Sequence, residues 1–188
     1  MDEEKIKKKL KKWLSPLRFA HSVRVQKTAI KLAKIHKANV EDASIAGLLH
    51  DCGKYVSKEK ILTEAKKLKI PINSEEKAHP GTIHANLSFV LSRKKFGVQK
   101  KSILLAIKKH TVGSKKMSLL EKIIYLADHT EPERKYKGIE AIRELSFKNM
   151  DKAIFKCTSS MIRDLLLQKL PIACETVKTR NYYLKTNE

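Results

Sequence analysis

Six glycines and five prolines are all that punctuate 188 residues, and between them apolar side chains recur every three to four positions rather than every two. Collagen-like, linker-dominated and turn-dense β chains need far more of both residues. The spacing therefore predicts an all-α chain in a single domain over 1–188, with a core from about 15 to 170. Ile6, Leu10 and Trp13 form an apolar row on a lysine-rich first helix that ends before Pro16. A second helix runs from about Pro16 to His36 with His21, Val25, Ala29 and Leu32 on one row. Asn39 or Asp42 caps a third, whose Ala43, Ala46, Gly47 and His50 form a small-residue face closed by Gly53. Ser57 is expected to cap a helix that Pro71 stops, and Asn73 to Gly81 reads as loop. Helical spacing resumes over Ile83–Phe96, through Ile103, Ile107 and His110, after the capping box Ser118–Glu121, over Ile139–Leu145 and along the stripe from Met150 to Leu165. The N-terminal lysine-rich helix and the C-terminal tail are expected to pack on or flank this core.

Charge narrows the partners. The formal net charge is +21, a field that draws polyanions. The lysines are spread along wet helix faces with few interleaved aromatics, so nucleic acid stays open as a partner but is not favoured over a phosphate-rich small molecule. Cys52, Cys157 and Cys174 are odd in number and form no CxxC pair, which argues against a disulfide framework or a cysteine zinc site and fits a reducing cytoplasm. No signal-peptide pattern or membrane-length apolar run is present, so a cytoplasmic protein without membrane attachment is expected. A homodimer is compatible with the sequence.

Four imidazoles and two carboxylates, those of His21, His50, Asp51, His84, His110 and Asp128, fall at or near the ends of the inferred helices. Mixed nitrogen and oxygen donors suit borderline cations such as iron, manganese, cobalt or zinc. Asp128 lies on a row with Leu120 and Ile124, and an acid on an apolar row needs a partner. His36 and His129 are read as non-ligands, the first flanked by lysines and the second turned about 100° away from Asp128 on a helix.

The order and context of these residues carry a resemblance. Arg18-Phe-Ala-His21, Gly47-Leu-Leu-His50-Asp51-Cys-Gly-Lys54, His110-Thr-Val-Gly113 and the stretch from Met117 to Arg134 that contains Tyr-Leu-Ala-Asp128-His-Thr-Glu131-Pro-Glu-Arg134 resemble the HD-domain phosphohydrolases. More narrowly they resemble the bacterial YqeK-type branch, the symmetrical bis(5'-nucleosyl)-tetraphosphatases, over about Ser15 to Leu184. The resemblance implies a helical HD-domain bundle whose His21, His50, Asp51 and Asp128 hold a transition metal, with iron the metal it favours. His84, rather than His79 five residues upstream, and His110 complete a cluster of one or two ions. It further implies that Asp51, Arg24 and Lys54 serve the reaction, with Arg24 and Lys54 on the phosphate side. Arg18, Thr111, Gly113, Glu131 and Arg134 would then touch substrate, a dinucleoside polyphosphate cut to two ADP. Two departures stand out: Ser88 where the family usually has Gly, and Cys52-Gly53 where it usually has an apolar residue and Ala.

Overall fold

The computed structural model describes residues 2–57, 59–78 and 80–185, and His79 lies outside them. Among the described residues the chain is all helical: α1 Glu3–Trp13, α2 Pro16–Ile35, α3 Val40–Leu49, α4 Ile61–Lys67, α5 Ser74–Ala78, α6 Ile83–Phe96, α7 Lys101–Lys109, α8 Leu119–Thr130, α9 Ile139–Lys148, α10 Met150–Leu167 and α11 Cys174–Lys185, with single 3₁₀ turns at Cys52–Tyr55 and Pro80–Thr82. Caps set many of the boundaries. Asp2, Ser15, Asn39 and Asn149 each accept a backbone N–H of the turn they open, and Ser118 and Glu121 form the expected reciprocal box.

Helices α3 and α8 form the centre. Asp42 through Leu49 are buried without interruption, and α8 buries Ile123 through Asp128 in the same way. The small-residue face of α3 lets α2 approach closely: a Cβ on Gly47 would sit 2.9 Å from Gln26 Cα. A longer side chain there would push the two helices apart. Helix α7 packs on α3, α6 packs on α7 and on the 3₁₀ turn that follows α3, and α10 lies behind α8.

Several boundaries differ from the sequence reading. Helix α3 stops at Leu49 and Gly53 lies inside the following 3₁₀ turn, pressed against α6. Helix α4 begins after Lys60 without a side-chain cap; Ser57 lies three residues before that start, in a turn where its carbonyl accepts the N–H of Lys60. The stretch read as loop contains α5, opened by a reciprocal cap in which Asn73 Oδ1 accepts from Glu76 N at 2.8 Å and Glu76 Oε2 accepts from Asn73 N at 2.9 Å. The C-terminal tail forms α11 against α10, where Tyr183 is buried and its hydroxyl accepts the N–H of Met117 at 3.1 Å. No helix among the described residues is long and apolar enough to cross a membrane.

Candidate metal centre

Helix ends bring the six expected ligands together. His50 caps the C-terminus of α3 and Asp51 follows it; His110 caps α7; His84 sits in the first turn of α6; Asp128 lies in the last turn of α8; His21 projects from the body of α2. His50, Asp51, His84, His110 and Asp128 are buried and His21 is half-buried.

Asp51 is the hub. Its Oδ1 lies 3.3 Å from His84 Nε2 and 3.4 Å from His110 Nε2, while its Oδ2 lies 3.6 Å from His50 Nε2 and 3.8 Å from His21 Nε2. Asp128 Oδ1 faces the same pair, 3.0 Å from His21 Nε2 and 3.8 Å from His50 Nε2. Three residue triads, each with donor atoms within 4.8 Å of one another, are thus drawn from these six residues.

The tautomers follow from the opposite ring nitrogens. His50 Nδ1 meets Gly47 O at 2.7 Å, His110 Nδ1 meets Ile107 O at 2.7 Å, and His84 Nδ1 meets Gly81 O at 2.5 Å. A carbonyl only accepts, so each Nδ1 carries the proton and each Nε2 presents a lone pair. His84 Nε2 and His110 Nε2 then stand 3.0 Å apart with no proton between them, an arrangement that two lone pairs adopt when one cation lies between. Donors bound to one ion at about 2.0–2.1 Å are separated by about 3.0–3.4 Å. His50 Nε2 and Asp51 Oδ1 are buried without a hydrogen-bond partner among the described residues, and His21 Nε2, buried with them, has only the Asp128 carboxylate at 3.0 Å. Orphaned buried lone pairs are costly unless a proton donor or a cation satisfies them, and the residues fit a transition metal on that ground.

Electrostatics agree. Burial pushes His50 down to about 4 and His84 down to about 3, Lys54 adding to the latter, so both offer neutral nitrogen at neutral pH. Burial alone would raise Asp51 and Asp128, yet surrounding histidines and Lys54 hold Asp51 well below its ordinary range, and His21, His50, His129 and Arg134 do the same for Asp128. Burial opposes charge on His21, but Asp128 and Asp51 outweigh it and raise its pKa. Two ionised carboxylates around that nitrogen call for positive charge.

The basic residues sit one layer out. Lys54 Nζ donates to Asp51 Oδ2 at 2.7 Å. Arg134 donates through Nη2 to Asp128 Oδ1 at 2.5 Å and through Nε to Asp128 O at 2.9 Å. Arg24 Nε donates to Glu131 Oε2 at 2.7 Å, and Glu131 Oε1 lies 3.2 Å from His21 Nδ1. Glu131, expected against substrate, is thus nearly sealed, 2% exposed, and supports His21. Thr111 Oγ1 is 3.0 Å from both His84 Nε2 and His110 Nε2, whereas Gly113 stands beyond it in a left-handed turn against Thr179. Arg18 is exposed at the rim.

The two departures from the family pattern form one contact. Gly53 N donates to Ser88 Oγ at 2.8 Å, and a Cβ on Gly53 would stand 2.5 Å from His84 O and 2.8 Å from Ser88 N. The larger side chain of this pair is thus at position 88 and the smaller at 53. Cys52 Sγ fills the adjacent space, 3.7 Å from Ser92 Oγ. His36 and His129 lie elsewhere, His36 Nε2 on Ser146 O at 2.7 Å and His129 Nδ1 on Tyr125 O at 2.8 Å.

Comparison with known proteins agrees with this architecture. The HD domain model matches residues 18–133. The symmetrical bis(5'-nucleosyl)-tetraphosphatase of Staphylococcus aureus is 30% identical over 100% of this chain and 97% of its own, and that of Bacillus subtilis is 32% identical over 97% of each. A crystal structure from Clostridium acetobutylicum, described as a "predicted HD superfamily hydrolase involved in NAD metabolism", superposes with a TM-score of 0.93 at 33% identity, covering 99% of this chain and 98% of that one. With the motif, the helical frame and the convergent histidines in agreement, the chain belongs to the HD-domain family.

Proposed function

We propose that this chain is a metal-dependent hydrolase that cuts diadenosine tetraphosphate at its middle anhydride to give two ADP. The observation that carries the reading is the convergence of four imidazoles on Asp51, two of them also facing Asp128, with three polar atoms of this cluster buried and unpartnered among the described residues, in a chain whose full-length relatives bear the name of that activity.

His21, His50, Asp51 and Asp128 would hold an ion, and His84 and His110, on the other side of Asp51, would complete a cluster for one or two ions. Iron is the metal the family resemblance favours, and manganese, cobalt and zinc suit the same donors. Such a cation supplies an acidified water and screens the charge of the phosphate under attack. The remaining work belongs to the chain. Lys54, anchored on Asp51 Oδ2, places a fixed positive charge beside the centre where phosphate oxygens gain charge. Thr111 offers a hydroxyl at the same place, and Arg18, which makes no ion pair among the described residues, gives a cation at the rim for the polyphosphate tail. Arg134 and Arg24 act mainly through Asp128 and Glu131, holding ligands in register. The +21 charge steers a tetra-anionic substrate inward.

Chromatography of an early time point on diadenosine tetraphosphate tests the reading. ADP as the only initial product is expected. Equal release of ATP and AMP rejects symmetrical cleavage, and no cleavage with iron, manganese, cobalt or zinc rejects the hydrolase.

A further inference from the structure

Two cavities flank the metal centre, on opposite sides of the Gly81–Ala85 segment. The larger, about 430 Å³, meets the centre at Thr111 and is walled by Leu105, Val112 and Ile172. The smaller, about 230 Å³, meets it at Lys54 and His84 and is walled by Trp13, Tyr55 and Arg18. We infer that these are two unequal nucleotide subsites, and that the smaller, between Trp13, Tyr55 and Arg18, holds the second half of the substrate. The inference rests on the hydrolase reading above and adds to it how the far half is gripped.

The chemistry of the smaller cavity is what a nucleotide requires. Trp13 and Tyr55 place their rings 5.4 Å apart with 38° between planes, giving an aromatic wall on which a base can stack whatever its identity. Tyr55 is fixed from behind, its hydroxyl donating to Glu64 Oε1 at 2.6 Å, and Trp13 is braced edge-on by Phe96 at 5.3 Å. The wall is therefore preformed. Arg18 makes no ion pair among the described residues, and with Lys54 it marks a cationic line from that wall to the centre, the course a phosphate tail would take. The larger cavity, mostly apolar with Asn86 and Glu76 joined across its rim at 2.7 Å, suits a nucleoside on the opposite side. A substrate whose two halves are chemically identical is thus held by two different surfaces, with the scissile anhydride between them.

Trp13 is the only tryptophan of the chain, so its emission reports the smaller cavity directly. The manganese-loaded full chain is titrated with ADP, following heat and tryptophan fluorescence together. Two ADP per chain are expected, with Trp13 emission changing in step with one of the two binding phases. Arg18→Glu should weaken that phase about tenfold or more and leave the other in place. One ADP per chain, or two with unchanged emission at saturation, overturns the inference. If diadenosine tetraphosphate is still cut to ADP in that case, the hydrolase reading survives; if ADP does not bind and the substrate is not cut, both fall.

Discussion

Three of the four site histidines are held one way and the fourth another. His50, His84 and His110 each turn Nδ1 onto the carbonyl three residues earlier, carbonyls that a helix end or an entering turn leaves available. His21 lies inside α2, where backbone carbonyls are already engaged by the helix, and its Nδ1 meets the carboxylate of Glu131, itself fixed by Arg24. The first arrangement comes with local chain geometry. The second exists only once α2 and the exit of α8 have packed together, and a carboxylate on the far nitrogen also makes the imidazole a stronger donor. His21 should therefore be the ligand whose function can be tuned from outside the centre.

The largest effect is expected where both arrangements meet. Asp51→Ala removes the carboxylate shared by all four histidines, and turnover should fall to background with the metal lost, read by activity and elemental analysis. Glu131→Gln comes next. It keeps the shape but not the charge, and should lower metal affinity and turnover about 10–100-fold, measured by competition with a chelator; the same loss from a variant unable to affect His21 would mean that Glu131 has no special hold on that ligand. His36→Ala serves that purpose and should keep full metal content, since His36 is spent on Ser146 O.

A smaller effect is expected at the contact that seats His84. Gly53→Ala drives a Cβ into the backbone of α6 and should destabilise by about 1–3 kcal/mol, seen in thermal unfolding. Adding Ser88→Gly should not recover that loss, because the new Cβ meets His84 O, Ser88 N and Leu87 Cβ rather than the Ser88 hydroxyl. The smallest change concerns helix ends remote from the centre. Lys37, Lys69 and Lys169 adopt left-handed conformations at φ 55°, 54° and 53°, each just after a helix. Lys69→Gly should stabilise by up to about 1 kcal/mol without altering metal content.

The sequence disclosed the site better than some of its surroundings. The rows Ile6-Leu10-Trp13 and Leu120-Ile124-Asp128, and the Ser118 box, could be read because their signals are local. Helix α11 could not, since its buried residues are Thr176, Thr179 and Tyr183, and polar side chains draw no apolar row. Helix α5 was hidden among Pro, Ser and Gly, although Asn73 and Glu76 stand at capping-box spacing. Glu131 is 110 residues from His21; its place in the motif was evident, but its partner depends on tertiary packing.

Elemental analysis of wild-type and Asp51→Ala protein, both purified without chelator or added metal, tests the metal centre most directly. Expected is bound transition metal at one to two ions per wild-type chain and essentially none in Asp51→Ala. Wild-type protein free of transition metal, or an Asp51→Ala variant that keeps the wild-type content, would contradict a centre built on Asp51.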